Sequence, residues 1–243
     1  MTTWKPNTAM VLAAGLGKRM RPITDSVPKP LVPVAGKALL DWCLDALAAS
    51  GVERAVVNVH YLADQIEAHV AQRETPHVII SDERDGLLDS AGAIVKALPE
   101  LGIEPFYVLN ADTFWIDRNT SNLDALAHEW DPSRMDILMM LADRDCATGH
   151  SGGTDFVIGA QGVLSRAQGD PAGVIYAGAA ILKQELFAGE PIRPDGLNRY
   201  FDEAIARGRL YGKLLDGEWI TVGTPDAIAP AEAAVARALG NGP

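Results

Sequence analysis

The sequence predicts an α/β protein with a mainly parallel central sheet flanked by helices and a small antiparallel region beside it. Three observations carry this. Short apolar runs alternate with helically patterned stretches, as in sheets covered on both faces. Of 243 residues, 48 % are hydrophobic, which suits a core burying about 70–75 % of the unfolded surface. No Pro/Gly/Ser-rich linker or internal repeat interrupts the chain, so residues 1–243 are expected to form a single domain.

Residues 8–14 read as a first buried strand. Residues 37–50 carry Leu39, Leu40, Leu44 and Leu47 at helical spacing, and Gly51 can cap the end. Strand 54–60, helix 62–71 and strand 77–81 follow, then a polar loop over 82–89, helix 90–98 and strand 105–110. Residues 121–130 read as helix and 135–142 as strand. From 143 to 173 Gly, Asp and Thr become frequent, which predicts an antiparallel insert rather than another βαβ unit. Residues 174–182 return to a buried strand. Helix 196–207, strands 210–215 and 219–222, and helix 225–239 come last, with Pro225 suited to a first helical turn.

Composition excludes several classes. Charged residues at 22 % against 48 % apolar rule out disorder and coiled coil. Two cysteines, Cys43 and Cys146, make neither a disulfide scaffold nor a structural zinc cluster. A net charge of −11 argues against nucleic-acid or anionic-membrane binding. Apolar runs such as 137–142 are far shorter than the ~20 residues that span a bilayer. The start lacks a hydrophobic signal segment, so a cytoplasmic protein is expected.

The chemistry is concentrated in residues 12–30, Leu-Ala-Ala-Gly-Leu-Gly-Lys-Arg-Met-Arg-Pro-Ile-Thr-Asp-Ser-Val-Pro-Lys-Pro. A strand breaks into a turn whose Gly15 and Gly17 allow close backbone approach. The turn bears Lys18, Arg19, Arg21 and Lys29 in an otherwise acidic chain, and Pro28 and Pro30 stiffen the support of Lys29. It is not a Walker loop, because Arg19 follows Gly17-Lys18 where Ser or Thr is needed. It lacks the third glycine of a dinucleotide fingerprint, having Met20 there. A merely solvated basic loop is the bland alternative. Strand end, glycines, cations and a Pro-flanked lysine together favour a polyphosphate site. Asp112, at the end of the fourth predicted strand, is either an Asx turn cap or a carboxylate facing a ligand.

The pattern Gly-x-Gly-x-Arg-x-x-Pro-x-Thr…Pro-Lys-Pro resembles that of the sugar-1-phosphate nucleotidyltransferases, from Ala9 to about Ala236. The resemblance implies a Rossmann-like nucleotide-diphospho-sugar transferase fold in its minimal form, with no β-helix extension. It implies an NTP and a sugar-1-phosphate as substrates, and Mg²⁺ as cofactor. Residues 57–62, 87–94, 110–112 and 218–225 favour UTP and N-acetylmuramate-1-phosphate. Guanylyl transfer to mannose-1-phosphate, or uridylyl or thymidylyl transfer to glucose-1-phosphate, are the alternatives. By the same resemblance Ala13, Ala14, Gly15, Gly17, Lys18, Gly92 and Asn110 would line the nucleotide, and Gly92 would permit close approach to its base and ribose. Arg19 would hold the β and γ phosphates, Lys29 would bridge the α phosphate and the sugar phosphate, and Asp112 would bind Mg²⁺.

Two departures stand out. Many relatives have an aspartate as a second metal ligand where this chain has Thr221, with Asp202 or Asp216 as conceivable substitutes. Several relatives also have a Glu-Lys-Pro segment whose lysine contacts the sugar phosphate, where this chain has Val163-Leu-Ser-Arg166. Arg166 is expected to be structural rather than a replacement. Thr221 leaves a non-catalytic nucleotide-sugar sensor as a reading of another class. His60 and Tyr61 are read as packing or hydrogen-bonding residues, His128 and Trp130 as core positions of a helix, and Asp124, Glu129 and Asp131 as solvated surface. The oligomeric state is not legible.

Overall fold

Residues 4–240 are described by a computed structural model of the chain. The first apolar run forms β1 (Thr8–Leu12). A small hairpin, β2 (Pro33–Val34) with β3 (Lys37–Ala38), leads into α1 (Leu39–Ala49). Two strand–helix units follow: β4 (Arg54–Val59) with α2 (Ala63–Val70), and β5 (His77–Asp82) with α3 (Asp89–Leu101). β6 (Phe106–Asn110) turns at once into β7 (Thr113–Asp117), and α4 (Asn122–Glu129) precedes β8 (Ile137–Ala142). Three short strands, β9 (Ala147–Thr148), β10 (Phe156–Ile158) and β11 (Leu164–Arg166), lead to the long β12 (Ile175–Leu182). The order ends α5 (Asn198–Ala206), β13 (Leu210–Leu214), β14 (Gly217–Thr221) and α6 (Ile228–Ala238).

Local sequence explains most of these boundaries. Helix α1 buries Leu40, Cys43, Leu44 and Leu47 on one stripe, and Gly51 follows it at φ +83°. Ser121 caps α4, its Oγ accepting from the Asp124 amide at 3.2 Å. Helix α3 runs past the expected end at residue 98 with Pro99 in its last turn, where buried Leu101 anchors the terminus despite the missing proline donor. Residues 37–38 are strand rather than helix, because they pair with β2. His128 is exposed, so its expected core position is corrected, whereas Trp130 is buried.

The seven-stranded sheet has the order β13-β8-β12-β6-β1-β4-β5. Strands β6, β1, β4 and β5 are mutually parallel, β13 is parallel to β8, and β12 runs antiparallel between β6 and β8. Successive side chains enter opposite cores: Val11, Val57 and Leu109 pack towards α1, α2 and α4, and Met10, Val56 and Val108 towards α3 and α5. That two-sided burial explains the continuous apolar runs. In the 143–173 insert, β10 and β11 pair antiparallel as expected, but β9 joins β14 in parallel, in a separate sheet ordered β7-β14-β9. A third core of Met20, Val32, Leu39, Phe114, Ile220 and α6 residues fastens this sheet to the basic turn. From β1 the chain proceeds to β4 on one side and later to β6 on the other. In open α/β sheets such a reversal opens a ligand crevice at the carboxyl ends of the strands.

Candidate active site

Two clefts open at that crevice. One, about 380 Å³, is lined by Gly15, Gly17, Lys18, Arg19, Lys29, Leu87, Asp112 and Gly223 among others. The other, about 660 Å³, is lined by Ala14, Gly15, Asn58, Leu87, Asp89, Ser90, Asn110, Asp112 and Pro194 among others. Gly15, Leu87 and Asp112 border both, so the glycine turn, the clamped lysine and the carboxylate share one cavity system.

The basic turn is built residue by residue. Gly17 lies in the left-handed region at φ +61° and opens a 3₁₀ turn, Lys18–Met20. A side chain at Gly17 would press on Thr24 and on Lys29 Cβ. The Thr24 hydroxyl donates to the Gly17 carbonyl at 2.8 Å, and the Tyr61 hydroxyl donates to the Thr24 carbonyl at 2.8 Å. Met20 is fully buried, so Lys18 and Arg19 are left outside, exposed and without a carboxylate partner among the described residues. The Arg19 guanidinium lies beside Gly223, where a Cβ would sit 3.7 Å from it.

Lys29 begins another 3₁₀ turn, Lys29–Leu31, with Pro28 before it and buried Pro30 after it. Its ammonium donates to Asp112 Oδ2 at 2.6 Å; the lysine side chain is 12 % exposed and the aspartate 37 %. Asp112 lies in the tight β6–β7 turn, which is pinned on two sides. The Ala111 amide donates to the Leu12 carbonyl at 3.1 Å, and the Val222 amide donates to the Asp112 carbonyl at 3.1 Å. Beneath this turn the Cys43 thiol donates to the Thr113 carbonyl at 3.4 Å. Burial, reinforced by the charges of Asp112 and Asp41, raises its pKa to about 12. That makes Cys43 a neutral packing group and not a nucleophile.

Two expected nucleotide contacts are corrected. Gly92 is buried and lines neither cleft: a Cβ there would collide with the Arg193 carbonyl, and the Gly92 amide donates to the Asp195 carbonyl at 3.1 Å. Close approach at Gly92 is therefore to the protein's own 193–195 segment. Ala13 is likewise buried and lines neither cleft, and its amide donates to Asn58 Oδ1 at 2.7 Å. Sequence reasoning missed Asn58, which is buried and lines the larger cleft, and Glu83, which is buried against Asn58 and lines neither cleft. Two polar residues at the ends of apolar strands were the available signal. It also missed Gly178, at φ +79° in a bulge of β12 that packs on Asn110 and Thr113.

Thr221 lies opposite Thr113 in the β7–β14 pair, one residue from Asp112. Neither suggested substitute reaches the clefts: Asp202 accepts from Arg166 Nε at 2.8 Å, and Asp216 from Asn119 at 2.7 Å. Asp216 sits at the far end of β14. Arg166 also donates to the Asn198 side chain at 3.1 Å, so it is structural, as expected. Among the described residues no three His, Cys, Asp or Glu side chains converge. Mg²⁺ is commonly held by one or two carboxylates with substrate phosphates and water, and Asp112 fits that donor set, with Asp89 also lining the larger cleft.

Fold, glycine turn, exposed cations and the Asp112 carboxylate are the parts that transfer between phosphates requires. Comparison with known proteins gives the same class. The family model described as MobA-like NTP transferase domain matches residues 9–190. Two relatives are N-acetylmuramate alpha-1-phosphate uridylyltransferases. That of Caulobacter vibrioides is 45 % identical over 238 residues, 96 % of this chain and 98 % of the relative. That of Neisseria meningitidis serogroup B is 32 % identical over 93 % of this chain and 96 % of the relative. The inositol-1-phosphate CTP transferase from T. maritima shares the fold, with a TM-score of 0.78 over 99 % of this chain and 97 % of its own at 18 % identity. The chain belongs to the MobA-like NTP transferase family, and within it to the sugar-1-phosphate nucleotidyltransferases.

Proposed function

We propose that this enzyme transfers the uridylyl group of UTP to N-acetylmuramate-1-phosphate, giving the UDP-sugar and pyrophosphate. The observation that carries the reading is the shared cavity of Gly15, Gly17, Arg19, Lys29 and Asp112 in a chain 45 % identical to an N-acetylmuramate alpha-1-phosphate uridylyltransferase. Residues 1–243 act as one catalytic domain. The enzyme works in the cytoplasm, in peptidoglycan recycling, a role compatible with the absence, among the described residues, of any helix long and apolar enough to cross a membrane.

The physical task is to bring two polyanions together. Unit charges about 5 Å apart repel by about 3 kcal/mol at an effective dielectric near 20, and several such pairs are present. Lys18 and Arg19, unpaired on the rim, receive the β and γ phosphates, with the Gly15–Gly17 backbone against them. Lys29 leaves Asp112 to bridge the α phosphate and the sugar phosphate. Asp112 would hold a divalent cation, which would supply charge neutralisation at the nucleotide phosphates. The ionised sugar-phosphate oxygen forms a bond to the α phosphorus in line with the breaking α–β bridge, whose electron pair departs with pyrophosphate. That oxygen carries no proton near neutral pH, so no general base is needed. Rate acceleration comes from positioning and charge stabilisation.

Pyrophosphate release measured over a matrix of nucleoside triphosphates and sugar-1-phosphates tests the assignment. The fastest release is expected with UTP and N-acetylmuramate-1-phosphate. Fastest release with GTP and mannose-1-phosphate, or with a glucose-1-phosphate pair, would replace it.

A further inference from the structure

A buried polar relay joins strand ends at the larger cleft, which Asn58 lines. Asn58, on β4, is 3 % exposed, and Glu83, just past β5, is 1 % exposed. Asn58 Oδ1 accepts from the Ala13 amide at 2.7 Å, and Asn58 Nδ2 donates to Glu83 Oε1 at 2.8 Å. The other carboxylate oxygen, Glu83 Oε2, accepts from the Leu88 amide at 3.0 Å. The Ala13 N–H fixes the orientation of the Asn58 amide: a backbone N–H can only donate, so Oδ1 faces it and Nδ2 is turned to Glu83. His60 Nδ1 bonds the Glu83 carbonyl at 2.7 Å, tying the same residue to the end of β4.

We propose that Asn58 and Glu83 are positioning residues that set the separation and register of the two walls of the nucleotide cleft. The inference rests on the reading of that cleft as the nucleotide site. Ala13 leads directly into Ala14 and Gly15 on the phosphate wall, and Leu88 lies between Leu87 and Asp89 on the opposite wall. Neither relay end, the Ala13 or the Leu88 amide, belongs to a regular element, so ladder hydrogen bonds do not hold them. Apolar side chains could fill the same volume but would not direct two specific amides to fixed points. A buried, satisfied polar chain does so, because each broken link leaves an unpaired group out of water. Glu83 lines neither cleft and acts on the site through Asn58 and the Leu88 amide, while Asn58 lines the larger cleft and also holds the Ala13 amide.

An exchange of donor and acceptor tests it. Glu83→Gln sets an amide with one acceptor against two donors, Asn58 Nδ2 and the Leu88 amide. Asn58→Asp sets two carboxylates against each other. The combined variant restores all three bonds, because the new amide donates to the new carboxylate while the remaining oxygens accept from Leu88 and Ala13. The readouts are UTP affinity by calorimetry, thermal midpoint, and hydrogen exchange at the Ala13 and Leu88 amides without nucleotide.

Each single variant is expected to bind UTP about 10-fold more weakly and to exchange faster at both amides, the loss expected of one buried hydrogen bond. The combined variant is expected to return within about 3-fold of wild type in both. Single variants that lose thermal stability yet bind UTP as wild type would overturn the proposal. So would a combined variant that recovers stability without recovering affinity. Should Asn58→Asp alone fail to fold, the combined variant against Glu83→Gln carries the same decision. Failure of the underlying nucleotide reading has another signature, since the wild-type protein would then bind no nucleoside triphosphate.

Discussion

Removing the Lys29 ammonium by Lys29→Ala separates a catalytic role from a structural one. An ammonium about 3.5 Å from a phosphate oxygen at an effective dielectric near 20 gains about 5 kcal/mol per unit charge. Water entering the vacated space recovers part of that. A loss of about 2.7–4 kcal/mol is typical for one preorganised charge-stabilising contact. The expectation is therefore a fall in kcat/KM of at least ~100-fold. Stability should hardly change. The lost ion pair leaves Asp112, whose side chain is 37 % exposed, free to be hydrated, at a cost below about 1 kcal/mol. Mn²⁺ binding by calorimetry should tighten, because no ammonium at 2.6 Å then competes for the carboxylate. The assays are pyrophosphate release, urea unfolding and Mn²⁺ titration on the same preparation. Near-wild-type kcat/KM, or a fall matched by loss of fold, would refute the assigned role.

Thr221→Asp places a second carboxylate one residue from Asp112 across the β7–β14 pair; metal titration of turnover should saturate at lower concentration, and an unchanged profile would count against the single-carboxylate account. Gly92→Ala should cost about 1–3 kcal/mol in urea unfolding, because the new methyl meets the Arg193 carbonyl. Unchanged stability with weakened nucleotide binding would instead restore the direct contact. Cys43 gives a pH signature. Its thiol ionises near 9.0 when unfolded but only at about 12 when folded, so the folded state holds an extra proton in that window. Stability should then fall as pH rises from about 9 towards 12, by about 1.4 kcal/mol per pH unit more in wild type than in Cys43→Ala. Parallel slopes in urea unfolding would contradict it.

Much of this architecture is legible in the chain because two-sided burial writes parallel strands as unbroken apolar runs, as at Ile137–Ala142. The basic turn is legible because glycines, cations and prolines occur there at fixed spacing. Strand β7 was missed: an Asx turn at Asp112 does not say that a strand follows, and Thr113–Asp117 exists only through pairing with β14 about a hundred residues later. The reversal of β12 is invisible for a related reason, since an apolar run does not encode direction. At Gly92 the need for a small residue was readable but its neighbour was not: the Arg193 carbonyl arrives from a distant loop. The Asn58–Glu83 pairing is hidden in the same way, because each residue alone looks like a polar strand end.

The most direct measurement is the fate of label in UTP carrying ³²P at its α position, incubated with N-acetylmuramate-1-phosphate and Mg²⁺. The account predicts that the label moves into the nucleotide-sugar while the pyrophosphate stays unlabelled, and that Arg19→Ala and Lys29→Ala suppress the transfer. Label that remains in UTP, although UTP binds the wild-type protein tightly, would contradict it.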